Sequence, residues 1–217
     1  MHKRYFSALR ARSAILVSAA LLVLVGCSLP RIIIINDPLS AGEHDNLGRI
    51  YESQGKPELA AQQYRAALKK DPKSAPSLLL LGDLSYRTKN YSEARSAYTK
   101  AIKLQPENGD IYNNLAQVYL EQNIEIEKAE DLVRRSLTLS PAHRAYYLDT
   151  LGIVLLRLGR VAESVTALEE SVALLPKDNT VSLAEAYEHL SGAYRAAGDG
   201  ERADEAGQLA EKYRAQK

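Results

Sequence analysis

The chain has 217 residues, and its 28 lysines and arginines nearly balance 27 aspartates and glutamates, for a formal charge of +1. That balance lacks the basic excess that nucleic-acid binding requires. Its single cysteine, Cys27, excludes a disulfide framework within the chain.

Residues 1–12 carry Lys3, Arg4, Arg10 and Arg12 and no acid, and residues 14–25 are almost wholly apolar. A basic start, a short apolar run and small residues at a cleavage point predict a signal peptide over residues 1–26. The competing reading is a membrane-spanning helix. Twelve apolar residues rise only about 18 Å, against a hydrocarbon core of roughly 30 Å. Leu24-Val25-Gly26-Cys27 resembles the lipobox of bacterial lipoproteins. The resemblance implies a diacylglyceryl group on the Cys27 thiol, cleavage just before it and acylation of the new amine. One acyl chain binds a membrane marginally, whereas two or more hold it stably. Cleavage there removes four cations and no acid, leaving −3, an ordinary soluble surface. By the same resemblance, Ser28 in place of an aspartate favours the periplasmic face of the outer membrane if the source has one.

Residues 27–39 read as anchor and linker. Ile32 to Ile35 are β-branched and extended, and Asn36-Asp37-Pro38 breaks the run. Four exposed isoleucines are an aggregation hazard. They are expected to pack on the first helix pair or to add an edge to a partner.

From residue 40 the chain repeats. Leu47-Gly48 recurs as Leu81-Gly82, Ala60 as Ala94, Tyr64 as Tyr98, and Pro72 as Pro106, Pro141 and Pro176. The units run about 41–74, 75–108, 109–144, 145–178 and 184–217. Three positions in every unit are small: Gly48, Gly82, Ala116, Gly152 and Ser191; Ala60, Ala94, Ala129, Ser164 and Ala203; Ala67, Ala101, Ser136, Ser171 and Ala210. Small residues let two antiparallel helices approach closely, and each proline closes a second helix. Ser40 with Glu43, and Ser182 with Glu185, read as capping boxes opening first helices. The third unit holds an extra residue within "QNIEIEKAE", another falls near Arg144, and residues 179–183 read as a longer connection. Ile124 and Ile126 are expected to be partly exposed.

This pattern resembles the tetratricopeptide repeat, across nearly the whole chain after residue 40. The resemblance implies an all-α fold, a right-handed α-solenoid of about five helix-turn-helix units. Neighbours must stack, because one unit cannot bury its own apolar face. It also implies a concave groove lined by first helices, where ligands are extended peptides or helices. The inward positions give Asp45, Arg49, Tyr86, Arg87, Asn113, Gln117, Tyr146, Asp149 and Arg157, with Glu52, Asp83, Glu121, Ile153 and Glu185 beside them. Asn113 and Gln117 carry the paired donor and acceptor that match a peptide main chain. The carboxylate-binding clamp of chaperone-docking relatives needs Lys and Asn where this chain has Asp45 and Arg49, so that ligand is rejected.

No phosphate-binding glycine loop, HExxH or CxxC is present. His2, His44, His143 and His189 lie far apart, without metal-ligand spacing. The chain therefore reads as a non-enzymatic scaffold with no cofactor beyond the lipid on Cys27, no metal, no nucleic-acid partner and no small-molecule substrate. Its expected partners are envelope proteins. Type IV pilus assembly lipoproteins, polysaccharide-export factors and outer-membrane biogenesis factors share this architecture. The alternative is a regulatory subunit that recruits an envelope enzyme such as a peptidase or synthase.

Overall fold

The computed structural model of the chain describes residues 37–216. The expectations for the signal peptide, Cys27 and Ile32 to Ile35 lie outside the described residues. From Leu39 onward the chain forms one compact unit. Among the described residues it holds ten α-helices in five antiparallel pairs. They are α1 (Ala41–Ser53) with α2 (Pro57–Lys70), α3 (Ala75–Arg87) with α4 (Tyr91–Leu104), α5 (Gly109–Gln122) with α6 (Ile126–Leu139), α7 (Arg144–Arg157) with α8 (Val161–Leu174), and α9 (Thr180–Ala196) with α10 (Gly200–Arg214).

The ends of these helices follow from single residues. Ser40 accepts from the Glu43 N–H while the Glu43 carboxylate accepts from the Ser40 N–H, the reciprocal cap expected at α1. Lys70, Leu104, Leu139 and Leu174 each end a second helix two residues before Pro72, Pro106, Pro141 and Pro176. The turn inside each pair places one residue in the left-handed region: Gly55 (φ 67°), Lys89 (61°), Asn123 (50°), Gly159 (74°) and Gly198 (80°). The extra residue of the third unit adds a second, Glu125 (φ 45°). Ile124 and Ile126, on either side of it, are half-buried against the central core. The extra residue near Arg144 becomes a 3-10 turn, Pro141–His143.

The fifth unit departs from its predicted start. α9 begins at Thr180, capped by Asn179, whose side chain accepts from the Ser182 N–H at 3.2 Å. Ser182 is thus inside the helix and opens no capping box. Residues 180–183 are an added first turn rather than a connection, because Asn179 supplies the cap and Leu183 is fully buried.

All fifteen small positions are buried. Packing explains their size. A Cβ on Gly48 would sit 2.3 Å from the Tyr64 ring, one on Gly82 2.7 Å from the Tyr98 ring, and one on Gly152 2.4 Å from Leu168. In the third unit the extra residue makes Val133 the counterpart, and Ala116 suffices. In the fifth, Ser191 faces Gly207. The first-helix residue is smallest where its counterpart is large and grows where the counterpart is small, as close packing demands. At three of these positions serine spans the pair: Ser164 Oγ donates to the Gly152 carbonyl at 2.7 Å, Ser171 Oγ to the Ala145 carbonyl at 2.8 Å and Ser191 Oγ to the Ala203 carbonyl at 2.7 Å, whereas Ser136 Oγ donates within its own helix to the Leu132 carbonyl.

Each first helix also packs its backbone on the next first helix, whereas consecutive second helices are bridged by long side chains, as in Arg65 with Glu93 and Arg202 with Glu169. First helices therefore line the inner, tighter face of the stack. The C-terminal helix α10 keeps Glu201, Arg202, Asp204, Glu205, Gln208, Glu211 and Lys212 in solvent, suiting the end of a stack.

Candidate functional site

The inner face carries a groove of about 610 Å³ at its centre, lined by Tyr86, Gln117, Leu120, Glu121, Asn123, Asp149, Thr150, Ile153, Arg157, Glu185 and His189. α3, α5, α7 and α9 all contribute, which follows from the direct contact of successive first helices. Gln117 Nε2 donates to Thr150 Oγ1 at 3.4 Å across the α5–α7 seam. Arg157 reaches the Asn123 amide oxygen at 3.4 Å. Tyr91 donates to Glu121 Oε2 at 3.1 Å, and its ring lies 5.9 Å from that of Tyr86. Burial first, then the Glu121 charge and Tyr91, push the Tyr86 hydroxyl up to about 12. It stays neutral, a donor at the groove wall.

His189 Nδ1 lies 2.9 and 3.0 Å from the two Asp149 oxygens. Burial opposes a charge on this imidazole. The hydrogen bond to Asp149, then the charges of Asp149, Glu188 and Glu185, outweigh burial and raise it above its ordinary value.

Of the nine inward residues, the groove brings together Tyr86, Gln117, Asp149 and Arg157. Arg49 and Arg87 lie apart, with Glu52, Leu80 and Asp83, in a hollow of about 340 Å³. Glu52 there accepts from both Tyr64 and Arg87. Asp83 accepts from Tyr98 at 2.7 Å, and burial pushes its carboxyl up. Tyr146 lines a smaller pocket that shares Gln117, Asp149, Thr150 and Glu185 with the groove.

Two residues are not on the groove surface. Asp45 is 8% exposed because Ser77 Oγ, from the neighbouring first helix, closes on its Oδ2 at 2.7 Å. Asn113 is 5% exposed because α5 is covered from both sides by its neighbours, so it does not present its amide to a ligand. Of the pair proposed to read a peptide main chain, only Gln117 reaches the groove. Sequence reasoning missed Leu120, Asn123 and Thr150. Asn123 had a legible signal, since asparagine tolerates the left-handed conformation that ends a helix.

Among the described residues no three His, Cys, Asp or Glu side chains cluster as metal ligands, and no helix is long and apolar enough to cross a membrane.

Comparison with known proteins places this geometry. Residues 46–104 and 79–144 match the family described as "Tetratricopeptide repeat". Over 106 residues the chain is 32% identical to the type IV pilus assembly protein PilF of Pseudomonas aeruginosa, a match covering 48% of this chain and 42% of that protein. The chain thus spans less than half the length of that relative. Among solved structures, MamA of Desulfovibrio magneticus superposes with a TM-score of 0.68 at 18% identity, over 82% of this chain and 96% of the other. PilW, titled a widely conserved type IV pilus biogenesis factor, gives a TM-score of 0.70 at 18% identity, over 80% and 77%. At those identities the two structures speak for the fold alone.

Proposed function

The chain carries tetratricopeptide repeats, and on that premise we propose that it is a non-enzymatic, lipid-anchored scaffold that docks a protein segment in its inner groove at a bacterial envelope membrane. One observation carries the docking half. Four successive first helices leave Gln117, Glu121, Ile153, Arg157 and Glu185 around one open groove, while the packing residues of the repeat are consumed in the core. Some of these side chains also bridge neighbouring helices, as Gln117 does to Thr150, yet Glu121 and Glu185 remain exposed on the groove. The anchoring half rests on the lipobox and its flanks. Kinship with a type IV pilus assembly protein supports assembly of an envelope machine as the setting.

The test is a photo-crosslinking amino acid at Gln117, in the groove, and at Lys100, exposed on the second helix α4, in living cells. Docking predicts a discrete adduct from position 117 and none from position 100. Equal capture at both, or none at either, removes the groove from the account. Labelling with a radioactive fatty acid, lost on Cys27→Ser, tests the anchor separately.

A further inference from the structure

Beside the groove, between the fourth and fifth units, lies a pocket of about 110 Å³, lined in part by Tyr146, Asp149, Thr150, Leu175, Glu185 and Ala186. Small-molecule sites run from about 300 to 1,000 Å³, so this pocket suits a single side chain better than a free ligand. It owes its wall partly to the added turn of α9, which supplies Ser182.

The lining has two halves. One is apolar and aromatic: Leu175, Ala186 and the Tyr146 ring, which is 41% exposed and whose hydroxyl accepts from Asn179 Nδ2 at 2.9 Å. The other is anionic. Asp149 is partnered by His189, and the charge of Glu185 acts on the same imidazole, so two carboxylates share one histidine. No lysine or arginine among them neutralises either carboxylate. Arg157, the nearby groove cation, is turned to Asn123 instead.

A basic side chain satisfies both halves at once. Its methylene stem runs along apolar surface while its head stays with charge, and a tyrosine face attracts the cation. An acidic side chain would meet two like charges. An aliphatic one would cover two carboxylates without compensating their lost water. We propose that this pocket seats one lysine or arginine of the segment docked in the groove. The assignment rests on groove docking and adds the residue class that the groove selects.

Random twelve-residue peptides displayed on phage, panned against the purified full-length chain in detergent, test it. Four proteins are compared: the native chain, Glu185→Gln, Glu185→Lys and a groove-blocked Gln117→Trp. Glu185 is exposed, and circular dichroism checks each fold. The native chain is expected to enrich peptides with Lys or Arg at one fixed position. Glu185→Gln weakens that preference and Glu185→Lys replaces it with Asp or Glu at the same position. Selected peptides should bind Glu185→Lys about tenfold more weakly than the native chain, a gap that narrows as salt rises. Groove-dependent peptides with no basic position, or with the same preference on Glu185→Lys, overturn the pocket assignment and leave docking intact. Peptides indifferent to Gln117→Trp, or no enrichment at all, overturn both.

Discussion

Gly82→Ala isolates the packing rule that builds the stack. Alanine is the better helix former by about 1 kcal/mol, so propensity alone predicts stabilisation in the middle of α3. The structure predicts the reverse. The new Cβ would lie 2.7, 2.9 and 3.1 Å from three ring carbons of Tyr98. That ring is fully enclosed and cannot swing aside, because its hydroxyl is held by Asp83 at 2.7 Å. Overpacking a filled core costs about 1–3 kcal/mol. An immobile ring places this case in the upper half of that range, for a net loss of about 1–2 kcal/mol after the propensity gain. Gly192, inside α9, is the control: nothing lies within 4 Å of its virtual Cβ. Gly192→Ala should therefore keep its gain of up to about 1 kcal/mol. Urea unfolding followed by circular dichroism reads both, with midpoints moving in opposite directions. If Gly82→Ala stabilises as Gly192→Ala does, the size-complementary pairing of first and second helices is wrong.

Lys89 holds a left-handed conformation that glycine occupies in three of the other turns. Lys89→Gly should raise the unfolding free energy by about 0.5–1 kcal/mol, from relief of the Cβ clash, and so move the urea midpoint up; a lowered midpoint would show that the lysine side chain matters more. Glu130 accepts from Arg160 at 2.8 and 2.9 Å across the third and fourth units. Burial pushes its carboxyl up, but Arg134 and Arg160 together hold it below its ordinary value. A lowered folded-state value means that the pair stabilises above the unfolded carboxylate range and loses that effect as pH falls through the folded value. Glu130→Gln should thus be less stable than the native chain at pH 7 and converge with it towards pH 3. His189 has the opposite sign. Its raised value stabilises below the unfolded histidine range and fades as pH rises through the folded value, so Asp149→Asn should cost more at pH 5.5 than at pH 8 by thermal melting.

The stack was legible in the sequence because its physics is periodic. The first four second helices each end two residues before a proline, and fifteen small positions fall where two backbones meet. Even the pairing of Gly48 with Tyr64 and Gly82 with Tyr98 repeats at one spacing. The groove was less legible. Position along a first helix says that a side chain points inward, but not whether it stands on the groove or in the seam between two helices. Asp45 and Asn113 fall in the seam, and what buries Asp45 is Ser77, a residue of the next unit. The start of α9 was misread because two plausible caps, Asn179 and Ser182, lie three residues apart. Burial of Leu183, which only the fold reveals, decides for the first.

The central claim is that the inner groove holds a partner segment. Its most direct test is affinity capture from envelope extract of the source cells, using the native chain, a groove variant combining Gln117→Trp with Glu185→Lys, and a matched variant with Lys69→Glu and Lys100→Glu, both exposed on second helices. The account predicts that the groove variant keeps its fold and loses the captured protein, while the second-helix variant retains it. Retention by the groove variant, with loss in the other, would move the docking surface to the outer face and contradict the account.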